Sequence, residues 1–106
     1  MNSKVYVVQE SQGRNLLPAQ EYGDINVLLP PGNVAFSSSP TVRRLRNGLK
    51  DFTDSDYLLL MGHPAAIAMA GAIATEQNRG RMQLLKWDRQ EHRYFVIKVD
   101  IHGGSV

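Results

Sequence analysis

Apolar residues along this chain fall into short runs of strand length and two longer stretches with helical character. Lys4–Gln9 is rich in valine, with Tyr6 among the β-formers, and predicts a strand. Residues 11–23 are polar and hold Gly13, Pro18 and Gly23. They predict a long loop that touches the core at Leu16 and Leu17. Asp24–Leu29 predicts a second strand, stopped by Pro30-Pro31-Gly32-Asn33, because proline cannot donate to a sheet ladder and Gly-Asn suits a turn. Ser37-Ser38-Ser39-Pro40 then reads as a helix start, with serine as cap and proline at the first helical position. Val42, Leu45, Leu49 and Phe52 recur at spacings of three and four and form one apolar stripe. Gly48 weakens this helix slightly, and Thr53-Asp54-Ser55-Asp56 ends it.

Tyr57–Met61 is apolar without alternation, the pattern of a strand covered on both faces, as in parallel sheets. Gly62-His63-Pro64 turns the chain into a second helix, Ala65 to about Asn78. Its nearly all-apolar surface through Ala74 predicts burial on more than one side. Asn78-Arg79-Gly80 supplies the stop. Gln83–Trp87 predicts a strand, residues 88–92 a polar turn, and Arg93–Ile101 a long strand with Phe95, Ile97, Val99 and Ile101 on one side and Lys98 and Asp100 on the other.

The predicted order is β-β-α-β-α-β-β over residues 1–106, a single α/β domain with two or three layers. Two successive crossover units should build a central parallel βαβαβ sheet. The first and last strands are expected to flank it, and the last two to form a C-terminal antiparallel hairpin.

Composition narrows the chemistry. The chain has 106 residues, 42% of them hydrophobic and 21% charged, ordinary values for one globular domain. Cysteine is absent, which removes disulfides, thiolate metal sites and cysteine nucleophiles. Met1-Asn2-Ser3-Lys4 leads straight into a strand without a signal-peptide pattern, so a cytoplasmic location is expected. The net charge is only +2, so any affinity for nucleic acid must come from clustered charges. Between Tyr57 and Thr75 only His63 can carry charge, and that length approaches a membrane span. Gly62-His63-Pro64 interrupts it and much of the rest is alanine or glycine, so a buried strand and helix are expected instead.

Three constellations are candidates for function. Gly62-His63-Pro64 lies where a parallel strand gives way to a helix, the place where open α/β sheets bind ligands and where free N–H groups attract anions. With Ser38 and Ser39 on the same rim it would hold a nucleotide or phosphate; the plainer account is a tight turn capped by His63. Arg43, Arg44 and Arg46, with Lys50, could meet phosphates of nucleic acid or an acidic protein. The plainer account is a solvated helix face, blunted by Asp51, Asp54 and Asp56. The terminal hairpin interleaves Trp87 with Arg89 and Arg93, a composition enriched at interface hot spots. Catalysis finds little support: His63, His92 and His102 are scattered, no metal-ligand spacing occurs, and no cofactor is implied, although catalytic groups can assemble from distant residues.

Residues 56–67 (Asp56-Tyr57 through Gly62-His63-Pro64-Ala65-Ala66-Ile67), Asn78-Arg79-Gly80-Arg81 and Leu84-Leu85-Lys86-Trp87-Asp88-Arg89-Gln90 resemble a group of small uncharacterised proteins encoded by tailed bacteriophages. Val5-Tyr6-Val7-Val8-Gln9-Glu10 and Leu28-Leu29-Pro30-Pro31-Gly32 extend the likeness over nearly the whole chain. The resemblance implies an aspartate where this chain has His63, which argues against His63 as an essential catalyst. It also implies a setting in the infected bacterial cytoplasm. The expected function is a non-enzymatic binding protein docked on a host macromolecule, a protein before nucleic acid, through the hairpin and the basic helix. The alternative is a nucleotide- or phosphate-binding sensor or small enzyme using the Gly62-His63-Pro64 turn. Open sheet edges predict a homodimer through Arg93–Ile101.

Overall fold

The computed structural model of the chain describes residues 3–32 and 38–103. Five strands, β1 (Lys4–Gln9), β2 (Asp24–Leu29), β3 (Tyr57–Leu59), β4 (Arg81–Asp88) and β5 (Arg93–Asp100), form one mixed sheet in the order β2-β1-β3-β4-β5. Four of them run parallel, and β5 pairs antiparallel with β4 across a hairpin in which Trp87 faces Tyr94 and Lys86 faces Phe95. Helices α1 (Ser38–Gly48) and α2 (Pro64–Gln77) carry the two later crossovers.

The α/β class, the element order and the hairpin are as the sequence predicts; the place of β1 is not. It lies inside the sheet, between β2 and β3, and β2 is the edge strand instead. Val5, Tyr6, Val7 and Val8 are all buried, whereas β2 leaves Val27 43% exposed. The same absence of alternation that marked Tyr57–Met61 as covered on both faces applies to β1.

The crossovers explain the order. From β2 the chain passes over β1 to β3 through α1, then to β4 through α2, and both helices pack on the face of Tyr6, Val8, Leu28 and Leu58. From β1 to β2 it moves the opposite way, so a right-handed connection must use the other face. There residues 11–23 do not stay a plain loop. Leu17–Tyr22 forms a 3₁₀ helix started by Pro18, with Ala19 buried against Val5, Val7, Leu59 and Leu85. Leu16 packs on this cluster, but Leu17 is turned outward.

Three further expectations change. In α2 the buried positions Ala66, Ala70, Ile73 and Ala74 form one stripe, while Ala65, Ala68 and Ala72 are exposed. The helix is apolar all round in composition but single-faced in packing, because alanine exposes too little surface to require cover. The strand predicted to Met61 ends at Leu59, and α1 ends at Gly48, where a Cβ would meet Leu28 Cδ2 at 2.6 Å. Helix and strand β2 therefore approach closely there. Leu49 and Phe52 complete the apolar stripe beyond the helix end. No helix of the described residues is long and apolar enough to cross a membrane.

Candidate functional site

Beyond β1 the connection leaves on the 3₁₀ side, and beyond β3 it leaves on the helical side. Such a divergence opens a crevice at the carboxyl ends of the two strands. Gln9, the last residue of β1 and only 5% exposed, spans it. Its side-chain amide donates to the carbonyls of Pro30 (3.2 Å) and Gly32 (2.7 Å), and its Oε1 accepts from the His63 N–H (2.8 Å). One side chain thus ties the ends of β1, β2 and β3. Gly62 adopts φ +114°, and a Cβ there would collide with the Gln9 side chain, so glycine is required twice over.

His63 is the N-cap of α2. Its Nδ1 accepts from the Ala65 N–H at 3.0 Å, and Pro64 follows at the first helical position. The donors at the start of α2 are thereby largely occupied within the turn. The groove beside them, about 520 Å³, is lined by Gly32, Gly62 and His63 but also by Glu10, whose carboxylate opposes an anion. Ser38 opens α1 and Ser39 is exposed on it; Asn33 and Ser37 lie outside the described residues.

A second cleft, about 460 Å³, opens on the 3₁₀ side of the same crevice. Leu59, Met61, Trp87 and Tyr94 line its apolar part, and Gly62 also belongs to the lining. Trp87 and Tyr94 meet edge to face with ring centroids 4.9 Å apart. The Tyr22 hydroxyl donates to the Tyr94 carbonyl (3.2 Å) and joins the 3₁₀ helix to the hairpin. Arg14 and Arg89 lie in the lining, which contains no carboxylate. Arg14 is presented by a turn in which its N–H donates to the Ser11 carbonyl (3.2 Å). Burial raises the Tyr94 phenol above its ordinary pKa, and the charge of Arg14 opposes that shift.

The hairpin candidates therefore divide between two surfaces. Alternation sends Trp87 to the cleft side with Leu85 and Tyr94, and Arg89 lines the same cleft. Arg93 pairs with Asp88 in register and, two residues from Phe95, shares its helical side with Phe95 and Lys86. On α1, Arg43 and Arg44 are exposed and make no ion pair among the described residues. Arg46 bridges to Glu76 of α2 at 2.9 Å. Helix α2 packs between α1 and β4, so the basic helix and the hairpin are separate patches.

Two of the aspartates after α1 have structural partners. Asp56, 4% exposed, accepts from the N–H of Lys4 (2.9 Å) and Thr53 (2.8 Å). Asp54 accepts from Asn78 (2.8 Å) and from Arg81 (3.0 Å), and those hydrogen bonds lower its pKa. No three His, Asp or Glu side chains among the described residues could hold a metal ion.

Gln9 was not among the sequence candidates, although a polar residue ending an otherwise apolar strand was a visible signal. Arg14 carried none, because only the β1–β2 crossover brings it to Trp87 and Tyr94. Comparison with curated proteins and with solved structures gives no match. A family model matches residues 3–101, almost the entire chain, and its description accords with the resemblance read from the strand ends and turns: the protein belongs to the Phage Pam3 gp32-like protein family.

Proposed function

We propose that this phage protein is a small non-enzymatic docking protein that binds a host protein in the bacterial cytoplasm through the helical side of β5. The observation that carries the proposal is an apolar row that no helix of the described residues covers. Phe95 is 40% exposed and Ile97 and Val99 are half-buried, while α1 and α2 pack over β2, β1 and β4. Lys86 and Arg93 flank Phe95 on that side. An aromatic anchor rimmed by cations suits a protein partner with an apolar pocket and an acidic border.

Capture from bacterial lysate with the intact protein and with Phe95→Asp tests this. A discrete host protein retained by the former and lost by the latter, with both melting alike, is the expected result. Recovery of the same proteins by both, or of none, would overturn it. A second copy is the other occupant this surface fits, because β5 ends the sheet and its outer edge has no strand partner among the described residues.

A further inference from the structure

We propose that the cleft on the 3₁₀ side of the β1/β3 crevice binds a nucleoside monophosphate unit, either free or at the end of a single strand. Its position is where the crossovers from β1 and β3 part to opposite faces, the place at which doubly wound sheets take ligands. Its size, about 460 Å³, falls in the range of small-molecule sites.

Its chemistry has two halves. Trp87 and Tyr94, with Leu59 and Met61, give an aromatic and apolar wall on which a base can stack. Arg14 and Arg89 supply two guanidinium groups without a carboxylate in the lining, and planar forks of donors match phosphate oxygens in pairs. Lys86 is a weaker participant, since alternation along β4 sends its side chain to the helical side, with Phe95. Tyr94 adds a third polar group. The residue is only 6% exposed and lines the cleft, yet its hydroxyl has no hydrogen-bond partner among the described residues. The oxygen is not sealed from solvent, so water pairs with it there. A sugar or phosphate oxygen would take the place of that water.

This site lies on the opposite face of the sheet from Phe95, so its fate and that of the docking surface are tested separately. The chain has one tryptophan, and it is in the cleft. Its fluorescence is therefore a direct reporter. The four nucleoside monophosphates, the matching nucleosides, inorganic phosphate and a short 5′-phosphorylated single strand are titrated in turn. At least one monophosphate should change the emission saturably, with its nucleoside and inorganic phosphate weaker by roughly tenfold or more. Arg14→Ala and Arg89→Ala, both at exposed positions, should each weaken binding by roughly tenfold while leaving the melting temperature unchanged. Tighter binding of the single strand would assign the unit to a strand end, and equal or weaker binding to a free nucleotide. Absence of a saturable change at millimolar ligand would overturn the proposal. So would binding that is indifferent to both arginines, or inorganic phosphate binding as well as the nucleotides.

Discussion

Replacing Gln9 by methionine keeps the length of the side chain and removes its three hydrogen bonds to Pro30, Gly32 and His63. At a net value of roughly 1 kcal/mol for each bond, the loss is about 3 kcal/mol at most. Pro30 and Gly32 are exposed, so water can replace the amide at their carbonyls. The His63 N–H is the costlier loss, because it anchors the start of α2. The expected destabilisation is therefore about 1.5–2 kcal/mol, a sizeable part of the 5–15 kcal/mol typical of a domain. In equilibrium urea unfolding the midpoint should fall by roughly 1 M with the slope unchanged. Amide exchange at His63 should accelerate more than exchange in β4. A midpoint within about 0.2 M of the parent would show that the crevice does not depend on Gln9. A large shift without faster exchange at His63 would place the loss elsewhere.

Ala70→Leu should cost about 1–3 kcal/mol, since Ala70 has no exposed surface and lies in the helix-side core, whereas Ala68→Leu on the open face should change stability by less than about 0.5 kcal/mol. Thermal melts of the two variants compare them directly, and equal losses would contradict the single-faced packing of α2. Asp54 should titrate below the ordinary carboxylate range. Its hydrogen bonds to Asn78 and Arg81 then contribute stability above the unfolded pKa and lose it as pH falls through the depressed folded value. Asn78→Ala should move the carboxyl upward in an NMR titration; the share of the stability loss that comes from exposed Asp54 is small, and the rest comes from the lost bond to the Arg81 carbonyl. If β5 also joins two copies, light scattering at micromolar concentration should give a dimer that Phe95→Asp with Ile97→Asp abolishes. A monomeric mass for the parent removes the dimer, and a dimer that survives both changes uses another surface.

The sequence alone determined much of the local structure. Apolar runs marked β1 and β3, alternation marked β5, the Val42-Leu45-Leu49 spacing marked α1, and Gly62-His63-Pro64 marked the turn in which His63 caps α2. These signals are local: backbone propensity, capping and side-chain periodicity act within a few residues. The tertiary structure decided what depends on distant partners. The place of β1 followed from the handedness of three crossovers, although its unbroken Val5–Val8 run already suited an interior strand. The 3₁₀ helix at Leu17–Tyr22 had no period to announce it and formed where Ala19 and Tyr22 could pack on the sheet. The hairpin patch divided because antiparallel pairing fixes which side each residue takes, sending Trp87 toward Arg14 and Tyr94, and Arg93 toward Phe95. The chemistry at the crevice arises from residues far apart in sequence, and only the strand order brings them together.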